Sequence, residues 1–474
     1  MLPIRAVIIT VGFSSIALTG CAGMEAGLEP RPPISVSSDW SIPISKASTD
    51  PVRYWTALGD PLLDGFVAQA IRNNRDLAQA ASRVALARAS VRASRASYLP
   101  SVSASAGLQR DVGDFADTDL QVSIGADAQW EVDLFGRIRR DVDASRADLL
   151  AAGFSLGDLQ RLIIGQVAQT TVSARALATQ LAIARDTLRI QDENLQITEW
   201  RLQAGLVSSL DVEQARAQRA QTLATIPALE RDLAQAGNTI SILIGEPPGR
   251  ARLALETAAD IPTPPEVTGF QAPAEVLRLR PDVRQAEATL IADTARIDVA
   301  RAQLLPLVRL TGSIGSASFG LDGLFDIVTG GLFAGVSQLL FDGGRTRAQI
   351  DSAEARAQAS LAAWEQTILT ALSDVESSDI ALRKARERVD ALTTALNAAD
   401  SAAILARSQY QAGLIDFQTL LTAENQLLSA RNALAATRAE RANAFVALQQ
   451  ALGGGWDGSV ARPHEGNFDK DSTR

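Results

Sequence analysis

The feature that most constrains this chain is that it contains itself twice. Around residue 76 it reads NNRDLAQAASRVALARASVRASRASYLPSVSAS, and around residue 282 it reads LRPDVRQAEATLIADTARIDVARAQLLPLVRLT. Asp76 aligns with Asp282 and Pro100 with Pro306, both at an offset of 206. Further on, RLQAGLVSSLDVEQARAQ aligns with QYQAGLIDFQTLLTAENQ, so that Gly205 matches Gly413 at an offset of 208. A period of roughly 200 residues is far too long for a solenoid. The chain is two homologous halves, and a fold proposed for one half must serve for the other.

Each half has the same order of elements. A helix of roughly 25 residues comes first (about 74–97 and 282–304), ending before Leu99-Pro100 or Leu305-Pro306 because the residue ahead of a proline is pushed out of helical geometry. Two short strands with a loop between them follow, and the two-residue drift in the repeat falls there, where insertions are tolerated. The most legible strand is Thr118 to Asp133. Leu120, Val122, Ile124, Ala126, Ala128, Trp130 and Val132 alternate with Asp119, Gln121, Ser123, Gly125, Asp127, Gln129, Glu131 and Asp133. Strict alternation gives one apolar and one acidic, polar face. A half-buried strand of a soluble sandwich would show the same period. The small side chains and four acidic groups suit a water-filled lumen instead, with the other face towards lipid. Val102, Ala104, Ala106 and Leu108 alternate with serines in the first strand, and Val308-Arg309-Leu310-Thr311 opens the third. The expected fourth strand, Leu332 to Phe341, alternates poorly.

Four amphipathic strands cannot close a membrane barrel, because a spanning sheet has no open edge and the smallest barrels have about eight strands. The barrel must therefore be shared between chains, about eight strands from two copies or about twelve from three.

The remainder of each half is helical at unusual length. From Arg137 to about Gln203 there is no proline, and only Gly153, Gly157 and Gly165 interrupt. At 1.5 Å per residue that span is roughly 100 Å of helix. Leu181, Leu188, Leu195 and Leu202 form one seven-residue series, and Ile183, Ile190 and Ile197 another. Positions two apart lie about 200° apart around a helix, so both flanks are apolar. Two seams suggest a helix wedged between two neighbours, as in the wall of a tube, although a coiled-coil stalk shares the period. In the second half the series is Ile368, Val375, Leu382, Val389, Leu396, Ala403 and Tyr410.

Composition removes most other functions. Lys and Arg total 45 against 54 Asp and Glu, a formal charge of −9, which leaves no basic footprint for nucleic acid. With one His, His464, and one Cys, Cys21, there is no histidine-based triad, no zinc site of the usual ligands and no disulfide. No metal or other cofactor is expected. Residues 1–20 read as a signal peptide: Arg5, an apolar run from Ala6 to Ala17 too short to span a bilayer, then Leu18-Thr19-Gly20 before Cys21. Small residues directly before a cysteine resemble a bacterial lipobox, which would make Cys21 an acylated first residue; an ordinary signal peptide is the alternative. Several acyl chains on one residue anchor stably where one would not. Ala22 in place of Asp matches sorting to the outer membrane in Gram-negative lipoproteins. Pro30 to Pro51 reads as an extended segment leading away from the anchor.

Short motifs run the length of the mature chain: Trp55 with Asp60-Pro61-Leu62, Asn74, Asp76-Leu77, Asp133-Leu134-Phe135-Gly136-Arg137 and Ile226-Pro227. They continue as Leu243-Ile244-Gly245, Pro247-Pro248-Gly249, Arg280-Pro281-Asp282-Val283-Arg284 and Phe341-Asp342-Gly343-Gly344-Arg345. In this order, on a duplicated chain with a lipobox, they resemble the TolC family of outer-membrane efflux proteins, specifically its lipid-anchored NodT-like branch. The resemblance implies a mainly α fold with a membrane β-barrel: a homotrimer whose 12-stranded barrel, four strands per chain, continues into a periplasmic α-helical barrel. It implies a periplasmic adaptor (membrane fusion) protein and an inner-membrane RND pump as partners, and a conduit that catalyses nothing. The organisation expected is a signal peptide (1–20), a lipidated, extended or equatorial segment (21–60), repeat one (61–245), an equatorial linker (246–272), repeat two (273–452) and a tail (453–474). Within the repeats, strands fall at about 99–133 and 306–341, and helices at 137–203, 209–244, 345–411 and 417–452.

The resemblance also locates a gate. The turns at Ala204-Gly205 and Ala412-Gly413 join long helices at the expected periplasmic tip. In TolC-like proteins an Asp six residues after the first glycine meets a Tyr three before the second, and Asp211 and Tyr410 match those positions. The family's interchain arginine falls on Ile415, and its acidic rings fall on Thr419 and Thr422. Asp416 is the candidate substitute for an acidic ring.

Three other readings compete with this one. A type I secretion outer component shares the fold, but the lipobox and Arg-Pro-Asp-Val-Arg favour efflux. An adaptor lipoprotein would carry one helical hairpin, not two full repeats. A glycosidase would cluster its carboxylates in a cleft, whereas these follow strand and helix periods. The expected function is a passive exit duct whose cargo is set by the pump.

Overall fold

The computed structural model describes Trp40 and residues 51–113, 120–256, 260–266, 273–321 and 323–458. The expected signal peptide, Cys21 and His464 lie outside the described residues, as do Thr118 and Asp119 of the expected second strand. In chain order, a 3₁₀ turn (Tyr54–Leu58) precedes α1 (Pro61–Asn73), α2 (Arg75–Ala96), β1 (Ser101–Gln109), β2 (Gln121–Val132), α3 (Arg137–Gln203) and α4 (Ser209–Leu243). Then come α5 (Arg250–Glu256), α6 (Pro273–Leu279), α7 (Pro281–Ala302), β3 (Leu307–Phe319), β4 (Val328–Ser337), α8 (Arg345–Gln411) and α9 (Phe417–Ala451).

Local chemistry starts these helices. Asp60 caps α1, accepting from the N–H groups of Leu62 and Leu63, with Pro61 at the first helical position where its missing N–H costs nothing. The same carboxylate forms a buried pair with Arg175 of α3 (3.0 Å), tying the N-terminal turn to the long helix. Asp133 accepts from Ile138 and Arg139 N–H at the start of α3, and Asp342 does the same for Thr346 at the start of α8. This explains the two Asp/Gly/Arg motifs: each is a strand-to-helix joint, with Gly136 and Gly344 at φ +75° and +89°.

The packed core lies beside the middle of the helical region. There Tyr54, Leu63, Phe66 and Val67 meet Ile164, Val167 and Val172 of α3, Ile240 of α4 and Phe445 and Leu448 of α9. Gly165 makes the α3–α9 crossing possible, since a Cβ there would lie 1.8 Å from Gln450 Nε2, which donates to the Arg161 carbonyl. In α8 the expected series is largely buried: Ile368, Val375, Leu382, Val389, Ala403 and Tyr410 all face inward. In the lower half of α3 the expectation needs correcting. The line packed inside the chain is Leu181, Ala184, Thr187, Gln191 and Thr198, while Leu188, Leu195, Ile183, Ile190 and Ile197 are only half-buried and Leu202 is exposed. The two apolar series flank that line and pack inward only in part, Ile183 beside the main core and Leu195 and Ile197 beside Ala215, Tyr410, Phe417 and Leu420.

Candidate functional site

The four strands form one antiparallel sheet in the order β1-β2-β3-β4, so the two repeats are stitched together by β2–β3, with Gly125 opposite Gly315 at its centre. Register assigns the faces. Residues directly opposite each other share a face, which puts Val102, Ala104, Ala106 and Leu108 with Val122, Ile124, Ala126, Ala128 and Trp130. Leu310 and Ile314 of β3 and Val328, Leu332, Ala334 and Val336 of β4 continue that face, with Ser316 and Ser318 as its polar exceptions. The opposite face carries Ser101, Ser103 and Ser105, then Ser123, Asp127, Gln129 and Glu131, then Arg309, Thr311 and Ser313. Glu131 sits opposite Arg309 and pairs with Arg137 (2.7 Å).

The expected fourth strand is corrected by this register. It runs Val328–Ser337, not Leu332 to Phe341, and Leu339, Leu340 and Phe341 lie beyond it. Read from Val328, the alternation is present, but glycines at 330, 331 and 335 hide it. The second strand begins at Gln121, later than expected, and ends at Val132. The sheet's outer strands, β1 and β4, each have one edge unpaired within the chain, and the apolar face is exposed, with Leu332 at 95% and Val336 at 72%. Among the described residues no helix is long and apolar enough to cross a membrane.

At the other end of the long helices are two tight turns of one design. Gly205 and Gly413 take φ +72° and +74°. Leu206 N–H donates to the Arg201 carbonyl and Gly205 N–H to that of Leu202, and Leu414 and Gly413 do the same to Gln409 and Tyr410. These are paired Schellman closures, which only a residue tolerant of left-handed backbone permits. The next helix is then capped differently in each repeat. Ser208 and Asp211 form a reciprocal capping box: Ser208 N–H donates to Asp211 Oδ2 at 2.9 Å and Asp211 N–H to Ser208 Oγ at 3.4 Å. At the equivalent positions Asp416 is the cap and Thr419 the donor (2.8 Å). Hydrogen bonds from the side chain and backbone of Thr419 hold the Asp416 carboxyl below the usual range.

Tyr410 is buried at this tip, but its partner is not the expected one. Its hydroxyl meets Thr198 Oγ1 at 3.4 Å. Since Thr198 already donates its proton to the Asn194 carbonyl, Tyr410 is the donor. The ring lies edge-on to Phe417 (5.7 Å), and the Arg201 guanidinium stands 4.5 Å above it. The tyrosine–aspartate link implied by the family is therefore absent within the chain, because Asp211 turns its carboxylate back onto Ser208. Gly205, Asp211, Tyr410, Gly413 and Asp416 do come together at one end of the molecule. Arg201, Thr198 and Phe417 belong with them and were missed. Thr198 and Arg201 stand about two turns and one turn before Gly205 on the face towards α8, a position only the tertiary contact reveals.

A one-sided apolar sheet with open edges, continued by helices far longer than a globular core requires, defines a membrane channel protein assembled from several chains. The chain belongs to the Outer membrane efflux protein family, which it matches over residues 66–246 and 272–454. It is 30% identical over 456 residues to Nodulation protein T of Rhizobium leguminosarum bv. trifolii, covering 94% of this chain and 97% of that one. It is 32% identical to the toluene efflux pump outer membrane protein TtgF of Pseudomonas putida, covering 95% and 97%. Among solved structures it is similar to the outer-membrane channel OprN, with a TM-score of 0.82 and 33% identity over 91% of this chain and 99% of that one. The protein is an outer-membrane efflux channel of the NodT type and not an enzyme: mainly α, with a four-stranded share of a membrane β-barrel continuous with a helical tunnel. Among the described residues no cluster of His, Cys, Asp and Glu is placed to hold a metal ion.

Proposed function

We propose that three copies close a twelve-stranded barrel and form the passive exit duct of a tripartite RND-type efflux system. The observation that carries this is the sheet: apolar on one face, polar on the other, with unpaired edges on β1 and β4. Backbone groups cannot be left unpaired in hydrocarbon, so β4 of one copy must pair with β1 of the next. Four strands are too few for a barrel, and three copies give a lumen wide enough for small molecules while keeping the helices in one ring. The half-buried apolar series of α3 supports the same assembly, as its exposed part would supply a surface for neighbouring helices. The duct would be passive, fed by an inner-membrane pump through a periplasmic adaptor. That TtgF is named for a toluene efflux pump supports small-molecule efflux over type I protein secretion. Cys21, by its lipobox, would be acylated and hold the chain in the outer-membrane lipid. Asp211, Tyr410 and Asp416 would line or brace the narrowed periplasmic end.

The test is the native mass of the detergent-extracted protein from separated membranes. A particle of three 50.1 kDa chains in the outer-membrane fraction is expected. A monomer, or a particle in the inner membrane, would refute the shared barrel. Deleting the channel should then sensitise the cell to the same compounds as deleting its pump.

A further inference from the structure

The polar face of the sheet is lined by Ser, Thr, Gly, Gln, one Ala (Ala317) and a few charges, with one large apolar side chain in the interior of a strand. Phe333 of β4 lies on that face, opposite Thr311 of β3, which in turn lies opposite Gln129 of β2. Phe319, the other aromatic side chain on this face among the described strand residues, is at the far end of β3. The Phe333 ring is folded back along its own strand. A Cβ built on Gly335 would lie 2.7 Å from its Cε1 and 3.3 Å from its Cζ, whereas one on Gly331 would touch nothing. Gly335 thus forms a bed for the ring, and the space on the Gly331 side is open. The edge of the ring that carries Cδ1, Cε1 and Cζ lies over Gly335, and 68% of the residue is exposed. An apolar side chain on a watery wall gains nothing for folding there, since it removes little surface from water.

We infer that Phe333 is a cargo-contact residue of the barrel: three copies present a ring of aromatic faces to the lumen, and these bind flat apolar or aromatic molecules in transit by stacking. This rests on the shared-barrel reading, which makes the polar face the lumen. The remaining wall, of small hydroxyls and glycine, offers such molecules no comparable surface, so they would pause at this level while hydrated ions pass.

The probe is tetraphenylphosphonium, added from the extracellular side to purified trimers in a planar bilayer carrying KCl current. Phe333→Ser should weaken its block about three- to tenfold, as expected for loss of an aromatic or cation–aromatic contact, while Phe333→Trp keeps or strengthens it. Each variant is first shown to retain the trimer mass. In parallel, Phe333→Cys and Leu332→Cys are treated with a membrane-impermeant maleimide, with the parent chain as background. Labelling of the first and not the second confirms the lumen face. Labelling with unchanged block in Phe333→Ser overturns the contact site and leaves the barrel standing. Labelling of Leu332→Cys alone inverts the faces and overturns both.

Discussion

Asn74 and Arg280 occupy the same place in the two repeats and hold the same carbonyl by different chemistry. Asn74 Nδ2 donates to the Leu243 carbonyl at 2.8 Å, and Arg280 Nη1 donates to the equivalent Ala451 carbonyl at 3.1 Å. Each fastens the start of a short helix to the end of the helical hairpin. Asn74 also caps α2 through its side-chain oxygen. Arginine has no acceptor, so in repeat two Asp282 takes over, receiving Val283 N–H while it pairs with Arg280 at 2.6 Å.

That division of labour predicts unequal costs. Asn74→Ala removes a cap and one buried hydrogen bond, about 1–3 kcal/mol together. Arg280→Ala strands the Ala451 carbonyl and two carboxylates, Asp282 and Asp374. Loss of a buried pair costs about 3–5 kcal/mol, and the partial exposure of both aspartates brings this towards the lower bound. Thermal dissociation of the trimer should therefore fall further for Arg280→Ala than for Asn74→Ala.

At the tip, Asp211 and Tyr410 make separate contacts within the chain. Asp211→Ala unties the start of α4, and Tyr410→Phe removes only the bond to Thr198; each is expected to raise single-channel conductance. Because they share no contact, their effects on the opening free energy should add to within about 0.5 kcal/mol. A double variant no more open than either single one would show that the two residues act as one latch in the assembly.

Asp416 gives a pH dependence of known sign. Its folded carboxyl titrates lower than an ordinary one because Thr419 donates to it. Its contribution is therefore complete above the unfolded pKa, and is lost as pH falls from about 4 through the lower folded value. Asp416→Asn keeps the cap without the charge, and the difference in thermal midpoint between the two proteins should narrow over that acid range. A constant difference would remove Asp416 from the titration.

The sheet predicts an asymmetry between neighbouring residues. Leu332→Arg puts a charge on the lipid face at a cost of about 2–4 kcal/mol near the midplane and should reduce the trimer recovered from the outer membrane. Thr311→Arg, on the opposite face, should insert normally and alter only conductance or ion preference.

Gly165→Ala tests the helix crossing. The added methyl must displace the Gln450 amide and break its bond to the Arg161 carbonyl. Overpacking of this kind costs about 1–3 kcal/mol, readable as a lower dissociation temperature, and Gln450→Ala in the same chain should relieve part of it.

Much of this architecture was legible because long-period signals survive in a single sequence. The absence of proline from 137 to 203 and the seven-residue series of α8 report helix length and the buried side of α8 directly. The alternation in β2 reports two faces. What stayed hidden depended on neighbours. Glycines in β4 removed the side chains that would have shown its period, and only the pairing with β3 fixes its start at Val328. The apolar series of α3 marks its inside only in part, because beside Leu181 the buried line is Ala184, Thr187, Gln191 and Thr198, residues too small or polar to mark a core. The 3₁₀ turn and α1 went unread, since Trp55 and Asp60-Pro61 entered only as family motifs, and nothing in them points to Arg175, the buried partner more than a hundred residues away. Likewise Asp211 sits where the family places a latch, yet Ser208, three residues back, competes for its carboxylate.

The hairpins β1–β2 and β3–β4 meet inside the chain at the β2–β3 seam, and a ring of chains would add an equivalent seam between β4 and β1. Such a ring is a hexamer of hairpins in which alternate seams happen to be covalently spanned. Joining the halves frees them to diverge: the counterpart of Tyr410 in the first repeat is Leu202, and the Ser208–Asp211 cap answers to Asp416–Thr419. Six equal staves would offer a docking protein six equal clefts. Two unlike staves repeated in alternation offer two kinds.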